Sequence, residues 1–303
     1  MQADLQCPMC TSRSIENYFL GKHYYPKKNF NYQYVKCKHC SVAFVSPMPD
    51  EEILSEIYQQ DHYYDVYRKE EDEKKAHSFQ LRKDLEKLTE VFKLFSAEKG
   101  FKTFLDFGCG DGKFLAFARG FGLDVMGYEP IPLNAKQTSA RIGEKVLSGS
   151  LSSLIETQKT FDFILLADVI EHLTNPKQVL EQLKKMLTPQ GFFIFIVPLE
   201  AQINLGQAMI FLSRKMKRNI IQAPPYHVFL FSDHSLTNVL KIFHFQQIMQ
   251  LSYSTDWPFI DNRGQSLIKR MIFQMLGRSN VIIGDHFFGR LLNLPNRTIV
   301  VAR

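Results

Sequence analysis

The chain has 303 residues, which is long for one compact domain and suits one domain together with an accessory module. Apolar residues make up 45% of the sequence and charged residues 22%, a balance that is typical of globular proteins with a sizeable core. The net charge of +6 is modest, and the basic residues are mixed with acidic ones, so the sequence does not indicate nucleic-acid binding.

The N-terminal residues, Met1 to Gln6, have neither the basic start nor the apolar stretch of a signal peptide. The longest apolar runs, around 161–167 and 192–197, are too short to span a bilayer. We therefore expect a cytoplasmic protein, in which thiols stay reduced and disulfide bonds are absent.

Two C-x-x-C pairs lie near the N-terminus, Cys7 with Cys10 and Cys37 with Cys40, whereas Cys109 stands apart from both. In a reducing compartment this paired spacing predicts a zinc site with four thiolate ligands. The metal would stabilise a segment that is too short to bury a core, and its role would be structural because four thiolates leave no open position. A redox pair is disfavoured, since such a pair normally lies within a larger βαβ unit.

The cysteines are expected to lie in a β-rich ribbon, because aromatic residues and Val35 are frequent between residues 18 and 45. A Ser-Pro-Met-Pro breaker follows at 46–49. These features predict a zinc ribbon over residues 1–48.

A helical connector is expected over residues 49–100. Asp50 is placed to cap a short helix over 51–59. A charged helix with one apolar face then runs from about 69 to 97, and its apolar face indicates that it packs against another element.

From residue 101 onwards, short apolar strands alternate with amphipathic helices. The expected strands are 103–107, 124–128, 144–147, 162–167, 192–197, 245–253 and 298–302, and the expected helices are 113–119, 133–141, 151–156 and 176–187. This alternation favours a doubly wound α/β sheet with helices on both faces, so we predict one domain over 101–303.

A glycine turn joins the first of these strands to its helix through Gly108, Gly110 and Gly112. Glycines at this position let the main chain turn sharply and approach a ligand. The G-x-G-x-G pattern departs from the dinucleotide fingerprint G-x-G-x-x-G, and no G-K-[ST] of a P-loop follows. Asp106 and Asp111 would repel a pyrophosphate, whereas they favour a ligand that carries an ammonium and a sulfonium.

Glu129 closes the next strand, about twenty residues beyond the glycines. Taken alone, a glutamate there indicates only a solvated strand end. Together with the glycine turn, it is placed to accept the two hydroxyls of a ribose.

The segment 105–112 resembles motif I of the class I S-adenosylmethionine-dependent methyltransferases. The segments 161–173 and 189–198 resemble the fourth and fifth strands of that family, and the resemblance extends over about 101–303. The N-terminal part resembles the zinc ribbon of a bacterial subgroup that is often associated with methylation of surface polysaccharides or secondary metabolites.

The resemblance implies a role for each residue near the donor. Gly108, Gly110 and Gly112 would line the methionine moiety, Asp106 would shape the turn, Glu129 would hold the ribose, Tyr128 or Pro130 would border the adenine, and Asp168 and Val169 would lie beside the sulfonium. The family commonly has an acidic residue where this chain has Ser150, so Ser150 or a main-chain carbonyl would meet the adenine amino group.

Methyl transfer to a hydroxyl needs a base, and the sequence offers three histidines for that role. His172 follows Glu171 beyond the fourth strand, and His227 lies in a segment that resembles the part of the family closing over the acceptor. Both also have a purely structural interpretation, and position alone does not separate them. His234, near a helix start, is the weakest of the three.

Two insertions, about 199–231 and 257–295, are expected to form a helical lid. Basic amphipathic stretches lie within them, around 208–218 and 265–277. They fit either a cover for an apolar, lipid-linked or anionic acceptor near a membrane surface, or solvated helices over the core, and the second interpretation is favoured.

We therefore predict a seven-stranded Rossmann-like methyltransferase domain with a zinc ribbon and a lid, using S-adenosylmethionine and a structural Zn²⁺. The expected acceptor is a small molecule, namely a sugar, a polysaccharide or a lipid-like intermediate, with O- and C-methylation both open. One alternative is methylation of RNA or protein presented by the ribbon. The second is a binding module that keeps the fold without catalysis.

Overall fold

A computed structural model describes residues 5–59, 71–202, 221–222, 224–255 and 295–303. The basic stretches around 208–218 and 265–277, for which we predicted helices of a lid, lie outside the described residues. Within the described part of the chain, no helix has the length and apolar character needed to cross a membrane.

The strands are β1 (Ile15–Tyr25), β2 (Phe30–Cys37), β3 (Ala43–Ser46), β4 (Thr103–Phe107), β5 (Asp124–Tyr128), β6 (Val146–Leu147), β7 (Phe161–Ala167), β8 (Leu187–Pro198), β9 (Ile221–Gln222), β10 (Phe229–Leu230), β11 (Gln247–Tyr253) and β12 (Arg297–Ala302). The helices are α1 (Glu51–Gln59), α2 (Glu71–Lys99), α3 (Lys113–Gly120), α4 (Pro132–Ile142), α5 (Leu151–Ile155), α6 (Pro176–Lys184) and α7 (Asp233–Ile242). Within the described ranges, each helix and strand predicted from residue 51 onwards is present, with ends that differ by a few residues.

These elements form two compact units. The first, which we call the ribbon unit, comprises Met1–Lys83, Pro198–Val239 and Ser252–Thr298. The second, the sheet unit, comprises Asp84–Val197, Leu240–Leu251 and Ile299–Arg303. The division of the chain at residues 48 and 100 stays a prediction.

The ribbon unit contains a five-stranded sheet in the order β10-β3-β2-β1-β9. β1, β2 and β3 pair antiparallel, and β10 pairs antiparallel with β3. A buried cluster of aromatic and aliphatic side chains lies on this sheet, and its members are Tyr32, Tyr34, Ala43, Val45 and Leu230. The N-terminal ribbon therefore shares its core with a strand that comes almost two hundred residues later in the sequence.

Helix α1 begins where the sequence predicted. The Oδ1 atom of Asp50 accepts a hydrogen bond of 2.8 Å from the main-chain N–H of Ile53, which is the side-chain cap expected of an aspartate at this position. This bond satisfies one of the N–H groups that the first helical turn leaves without an intrahelical partner.

A seven-stranded sheet has the order β11-β12-β8-β7-β4-β5-β6, which confirms the predicted fold class. The pairs β4–β5, β4–β7, β5–β6 and β7–β8 are parallel. β5 and β6 lie on one side of β4, and the next strand in the sequence, β7, lies on its other side. In open α/β sheets, ligands bind at the carboxyl ends of the strands where the order reverses in this way.

The central strands are covered on their faces by apolar side chains. The strands β7 and β8 carry near-continuous buried runs, as expected for parallel strands with helices on both faces. Phe92 of α2 is fully buried and lies 5.8 Å from Phe104 and 5.5 Å from Phe163, measured between ring centroids. The apolar face predicted for α2 is therefore the face that packs on the sheet.

Asp162 ties the amino ends of three strands together. Its Oδ2 atom accepts hydrogen bonds from the main-chain N–H of Lys102 at 2.8 Å and from both the N–H and the hydroxyl of Thr103 at 3.0 Å. Its Oδ1 atom accepts one from the Thr188 hydroxyl at 2.9 Å. Burial raises the pKa of Asp162, but these hydrogen bonds outweigh burial, so the pKa lies below its ordinary value.

We expect Asp162→Ala to destabilise the fold by about 1–3 kcal/mol at neutral pH, because it leaves partly buried N–H groups without an acceptor. Since the folded pKa is lowered, this stabilisation is complete above the unfolded pKa of about 3.9 and is lost as the pH falls through the folded pKa. Urea unfolding at pH 7 and at about pH 3, below the unfolded pKa, tests this, with Glu181→Ala as an exposed control. Equal unfolding midpoints for Asp162→Ala and the control would contradict the assignment.

Candidate functional site

The four N-terminal cysteines lie together in the ribbon unit. All four Sγ atoms lie within 4.8 Å of one another. The Cys7 and Cys40 sulfurs are 3.6 Å apart, and the Cys10 and Cys37 sulfurs are 3.5 Å apart. Thiolates at about 2.3 Å from a central Zn²⁺ in a tetrahedron are separated by about 3.8 Å, so the group fits a zinc ion.

The two cysteine pairs form matching turns. The carbonyl of Cys7 accepts from the N–H of Thr11 at 2.8 Å, and the carbonyl of Cys37 accepts from the N–H of Ser41 at 2.9 Å. Thr11 and Ser41 both have left-handed φ angles, of 58° and 67°. Each turn therefore directs both of its sulfurs to one point, as the C-x-x-C spacing predicted.

Cys109, which was not predicted to be a metal ligand, is buried in the glycine turn of the sheet unit. Burial and, to a smaller extent, the charges of Asp106 and Glu129 raise the pKa of its thiol. The side chain is therefore a protonated thiol at neutral pH, and it has the character of a small apolar residue.

The glycine turn follows β4 at the carboxyl edge of the seven-stranded sheet. Gly108, Gly110 and Gly112 have φ angles of 79°, 48° and 73°, in the left-handed region that favours glycine. A Cβ atom at Gly108 would lie 2.7 Å from the Cγ2 atom of Val169, so a side chain there would displace its neighbour. The turn is thus bare main chain at the strand where the sheet order reverses.

Glu129 holds this turn from the end of β5. Its Oε2 atom accepts from the N–H of Gly110 at 3.1 Å, and its Oε1 atom accepts from the N–H of Ile131 at 3.3 Å. Glu129 is 4% exposed, and burial raises its pKa against the opposing effect of these hydrogen bonds. The side chain of Asn134 also hydrogen-bonds this carboxylate, and the acceptor capacity that remains lets Glu129 hold the turn and accept a hydroxyl group.

Asp106 is the most buried acid beside the turn, with 1% of its surface exposed. Within the described part of the chain, its Oδ2 atom has no hydrogen-bond partner. Burial raises the pKa of Asp106 well above its ordinary value, and the charges of Asp111 and Glu129 add to this effect. A buried carboxyl group in this state fits a cationic ligand, which would stabilise its ionised form.

The predicted adenine side of the turn is made by Tyr128 and the segment before α5. The Tyr128 ring stacks on Phe107 with 4.8 Å between the ring centroids, and its hydroxyl donates to the carbonyl of Gly149 at 2.7 Å. Ser150 directly precedes α5, and its hydroxyl lies 2.6 Å from that of Ser152. Tyr128 therefore fixes the main chain next to Ser150, a link that the sequence did not predict.

Asp168 and Val169, predicted to lie beside a sulfonium, follow the last residue of β7. Asp168 has a φ angle of 54°, a strained conformation for a residue with a side chain, and its N–H donates to the carbonyl of Ile196 at 2.9 Å. His172 is partly buried, and its N–H donates to the carbonyl of Val169 at 3.0 Å. The side chain of Val169 also lies against the glycine turn, since its Cγ2 atom leaves no room for a Cβ atom at Gly108.

His227 lies in the ribbon unit and pairs with a carboxylate that the sequence analysis missed. Its Nδ1 atom is 2.6 Å from the Oε2 atom of Glu200, with 14% and 31% of the two side chains exposed. In this arrangement Nδ1–H donates to Glu200, and Nε2 is the ring nitrogen that can accept a proton. The two residues are 27 positions apart, so no local motif pointed to Glu200.

His234 lies in the first turn of α7, where the sequence placed it. Its Nε2 atom is 3.1 Å from the side-chain amide of Asn238 on the exposed side of that helix. The helix start is capped by reciprocal contacts between Ser232 and Ser235, whose main-chain N–H groups each meet the other's hydroxyl, at 2.8 and 3.2 Å.

The family model described as a methyltransferase domain matches residues 79–249 of the chain. Among curated proteins, the chain is 32% identical over 101 residues to a ubiquinone biosynthesis O-methyltransferase of Aliivibrio fischeri strain MJ11. The matched residues make up 31% of this chain and 43% of that protein. It is 26% identical over 149 residues to the protein of the same name from Rickettsia conorii, covering 48% of this chain and 49% of that protein. The chain thus spans less than half the length of these two relatives.

Among solved structures, the chain is similar to magnesium protoporphyrin IX methyltransferase from Synechocystis PCC 6803 with bound SAH. The TM-score is 0.56 at 11% sequence identity, and the alignment covers 84% of this chain and 100% of that chain. At this identity the similarity concerns the fold, and it agrees with the seven-stranded sheet described above.

We expect the purified protein to contain about one zinc ion per chain, because four clustered thiolates form a closed tetrahedral site. Cys37→Ser should lower the zinc content well below one per chain and lower the melting temperature. Cys109→Ser is the matched control, since it removes a buried thiol outside the cluster and should leave the zinc content unchanged. Elemental analysis after gel filtration measures this, and a zinc-free wild-type protein would rule the site out.

Proposed function

The chain belongs to the methyltransferase domain family, and from this premise we propose that it transfers the methyl group of S-adenosylmethionine to a hydroxyl group of a small molecule. The observation that carries the proposal is the set of acidic side chains around bare main chain at the switch point of the sheet. A buried carboxyl group, Asp106, and a second one, Glu129, flank the glycine turn.

The acidic side chains beside the turn favour S-adenosylmethionine over a dinucleotide as the ligand. The donor carries an ammonium and a sulfonium, and the charge of Asp106 stabilises such cations, whereas it would repel a pyrophosphate. The carboxylate of Glu129 is placed to accept the ribose hydroxyls, one through its remaining acceptor site and the other in exchange for its bond with Asn134. Gly108, Gly110 and Gly112 let the donor lie against the main chain.

The remaining donor contacts are assigned by the family resemblance and by the contacts around each residue. We propose that Ser150 meets the adenine amino group, since Tyr128 fixes the main chain next to it through Gly149. Asp168 and Val169 are proposed to lie beside the sulfonium, where the strained main chain at Asp168 sets the direction of both side chains.

S-adenosylmethionine, when bound, supplies a methyl group on a sulfonium that leaves as a neutral thioether. The protein then has to orient the acceptor oxygen and take its proton as the new carbon–oxygen bond forms. We propose His227 as the base that receives this proton on Nε2. Glu200 holds the ring through Nδ1 and stabilises the imidazolium that results.

His172 is the other histidine proposed from the sequence. The carboxylate of Glu200, 2.6 Å from Nδ1 of His227, favours His227 as the base. We assign His172 a supporting role at the carboxyl end of β7, where its N–H donates to the carbonyl of Val169.

The proposed acceptor class is a small molecule that carries a hydroxyl, such as a sugar, a polysaccharide terminus or a lipid-like intermediate. The two curated relatives are named for O-methylation in ubiquinone biosynthesis, which supports an oxygen nucleophile. A histidine–carboxylate pair supports it as well, because a hydroxyl must lose its proton whereas many amines and activated carbons need less help.

Calorimetric titration should detect saturable binding of S-adenosylmethionine and no binding of NAD. Glu129→Ala should weaken the binding of S-adenosylmethionine by about 10- to 100-fold, because hydrogen bonds to a charged acceptor contribute about 1.5–3 kcal/mol each. Glu144→Ala is the control and should keep wild-type affinity, because it removes a partly exposed acid of the same sheet unit that pairs with Arg119 at 3.0 Å. Binding of neither ligand, or equal affinity in both variants, would reject the donor site.

We expect His227→Ala to lower the rate of methyl transfer by about 100-fold or more, the usual contribution of a positioned base, with unchanged affinity for S-adenosylmethionine. Transfer from labelled S-adenosylmethionine to a panel of sugars, phenols and lipid-like alcohols provides the assay. His172→Ala is the comparison and should lose less activity. If both variants keep the wild-type rate and pH profile, neither histidine is the base. Labelling of added RNA or protein, with no labelling of any compound of the panel, would reject the acceptor class.

A further inference from the structure

The main chain at His227 is anchored by the strands of the ribbon. The hydroxyl of Tyr34 on β2 donates a hydrogen bond of 2.8 Å to the carbonyl of His227. The N–H of Val45 on β3 donates one of 3.0 Å to the carbonyl of Val228. Two successive carbonyls are therefore fixed, and with them the direction in which the His227 side chain leaves the main chain.

The same two strands carry the second cysteine pair. Cys37 ends β2 three residues after Tyr34, a distance of about 10 Å along an extended strand, and Cys40 lies just before β3. Tyr34 faces Val45 in the register of β2 and β3. A metal held by Cys37 and Cys40 therefore fixes the turn between the two strands that anchor His227.

The main chain next to Glu200 is also fixed within the ribbon unit. The N–H of Ala201 donates to the carbonyl of Phe231 at 2.8 Å, and Ala201 packs against the aromatic cluster that contains Tyr34. Tyr18 of β1 is also close: burial and then the charge of Glu200 raise the pKa of its hydroxyl. Both members of the His227–Glu200 pair thus lie against side chains of the ribbon.

We propose that Tyr34 is a positioning residue for His227 and that zinc, through β2 and β3, sets the orientation of the His227–Glu200 pair. The ribbon then contributes to catalysis at the acceptor, and its removal would disturb the orientation of the His227–Glu200 pair. The effect on catalysis rests on the proposed function, in which His227 is the base. The effect on the orientation of the imidazole ring does not.

The chain offers a matched control in Tyr24, which lies on β1 of the same sheet. Its hydroxyl donates to the side chain of Asn29 at 3.0 Å, an exposed contact at the end of the β1–β2 hairpin. Tyr34→Phe and Tyr24→Phe therefore each remove one hydroxyl and one hydrogen bond from the ribbon. Only the bond lost in Tyr34→Phe reaches His227.

The primary measurement is the protonation state of the His227 ring in the full-length protein, by nitrogen NMR with labelled histidine and with His227→Gln to assign the signal. In the wild type and in Tyr24→Phe, the proton should lie on Nδ1 and be protected by Glu200. In Tyr34→Phe, this protected Nδ1–H signal should be lost or exchange faster with solvent. An unchanged signal in Tyr34→Phe would overturn the positioning role.

Kinetics provide the second measurement. Tyr34→Phe should lower kcat for methyl transfer by about 3- to 10-fold, the range expected when one hydrogen bond no longer supports the reacting geometry. Its affinity for S-adenosylmethionine should stay within about twofold of wild type, whereas Tyr24→Phe should match wild type in both. Unchanged kcat in Tyr34→Phe, in a protein whose His227→Gln variant is inactive, would count against the proposal.

Zinc removal tests the link to the metal and covers the case in which Tyr34→Phe does not fold. Treating wild-type protein with a chelator should abolish the Nδ1–H signal of His227 while calorimetric binding of S-adenosylmethionine persists. If the signal survives complete removal of zinc, the metal does not act on the pair. An active His227→Gln variant would reject the base assignment alone, because the NMR result decides the positioning role independently of activity.

Discussion

Burial of two carboxyl groups beside bare main chain is the constraint on which the sheet unit depends. Asp106 and Glu129 have raised pKa values because they are desolvated next to one another, and Glu129 is retained there by the N–H groups of Gly110 and Ile131. Any side chain at Gly108 would displace Val169, which lies against this turn. A cationic ligand would stabilise the ionised forms of both acids, and the donor site proposed above rests on this property.

Features with a local signature could be predicted from the sequence. The strands around the glycine turn follow from short apolar runs between turn signals, and the cysteine pairs follow from their spacing. The capping role of Asp50 was also predictable, since it needs only the residues that follow it. In each case the physical cause lies within a few residues of the feature.

Features that depend on distant contacts could not be predicted. Glu200 meets His227 across 27 residues, and β9 and β10 have only two residues each, too few for any periodicity. The role of Asp162 depends on donors about sixty residues earlier in the chain. The sequence therefore identified His227 as a candidate base without the carboxylate that orients it, and it treated the ribbon as separate from the segment that completes its sheet.

The completion of the ribbon sheet by β10 also determines the order in which the protein can fold. During synthesis the two cysteine pairs emerge first and can bind metal early, but β3 keeps an unpaired edge until Phe229 and Leu230 have been made. An exposed, apolar strand edge is prone to pair with other chains. Through this interval the nascent chain is exposed to aggregation, and early metal binding protects it only in part. A ribbon expressed by itself would keep that edge open and should associate with copies of itself.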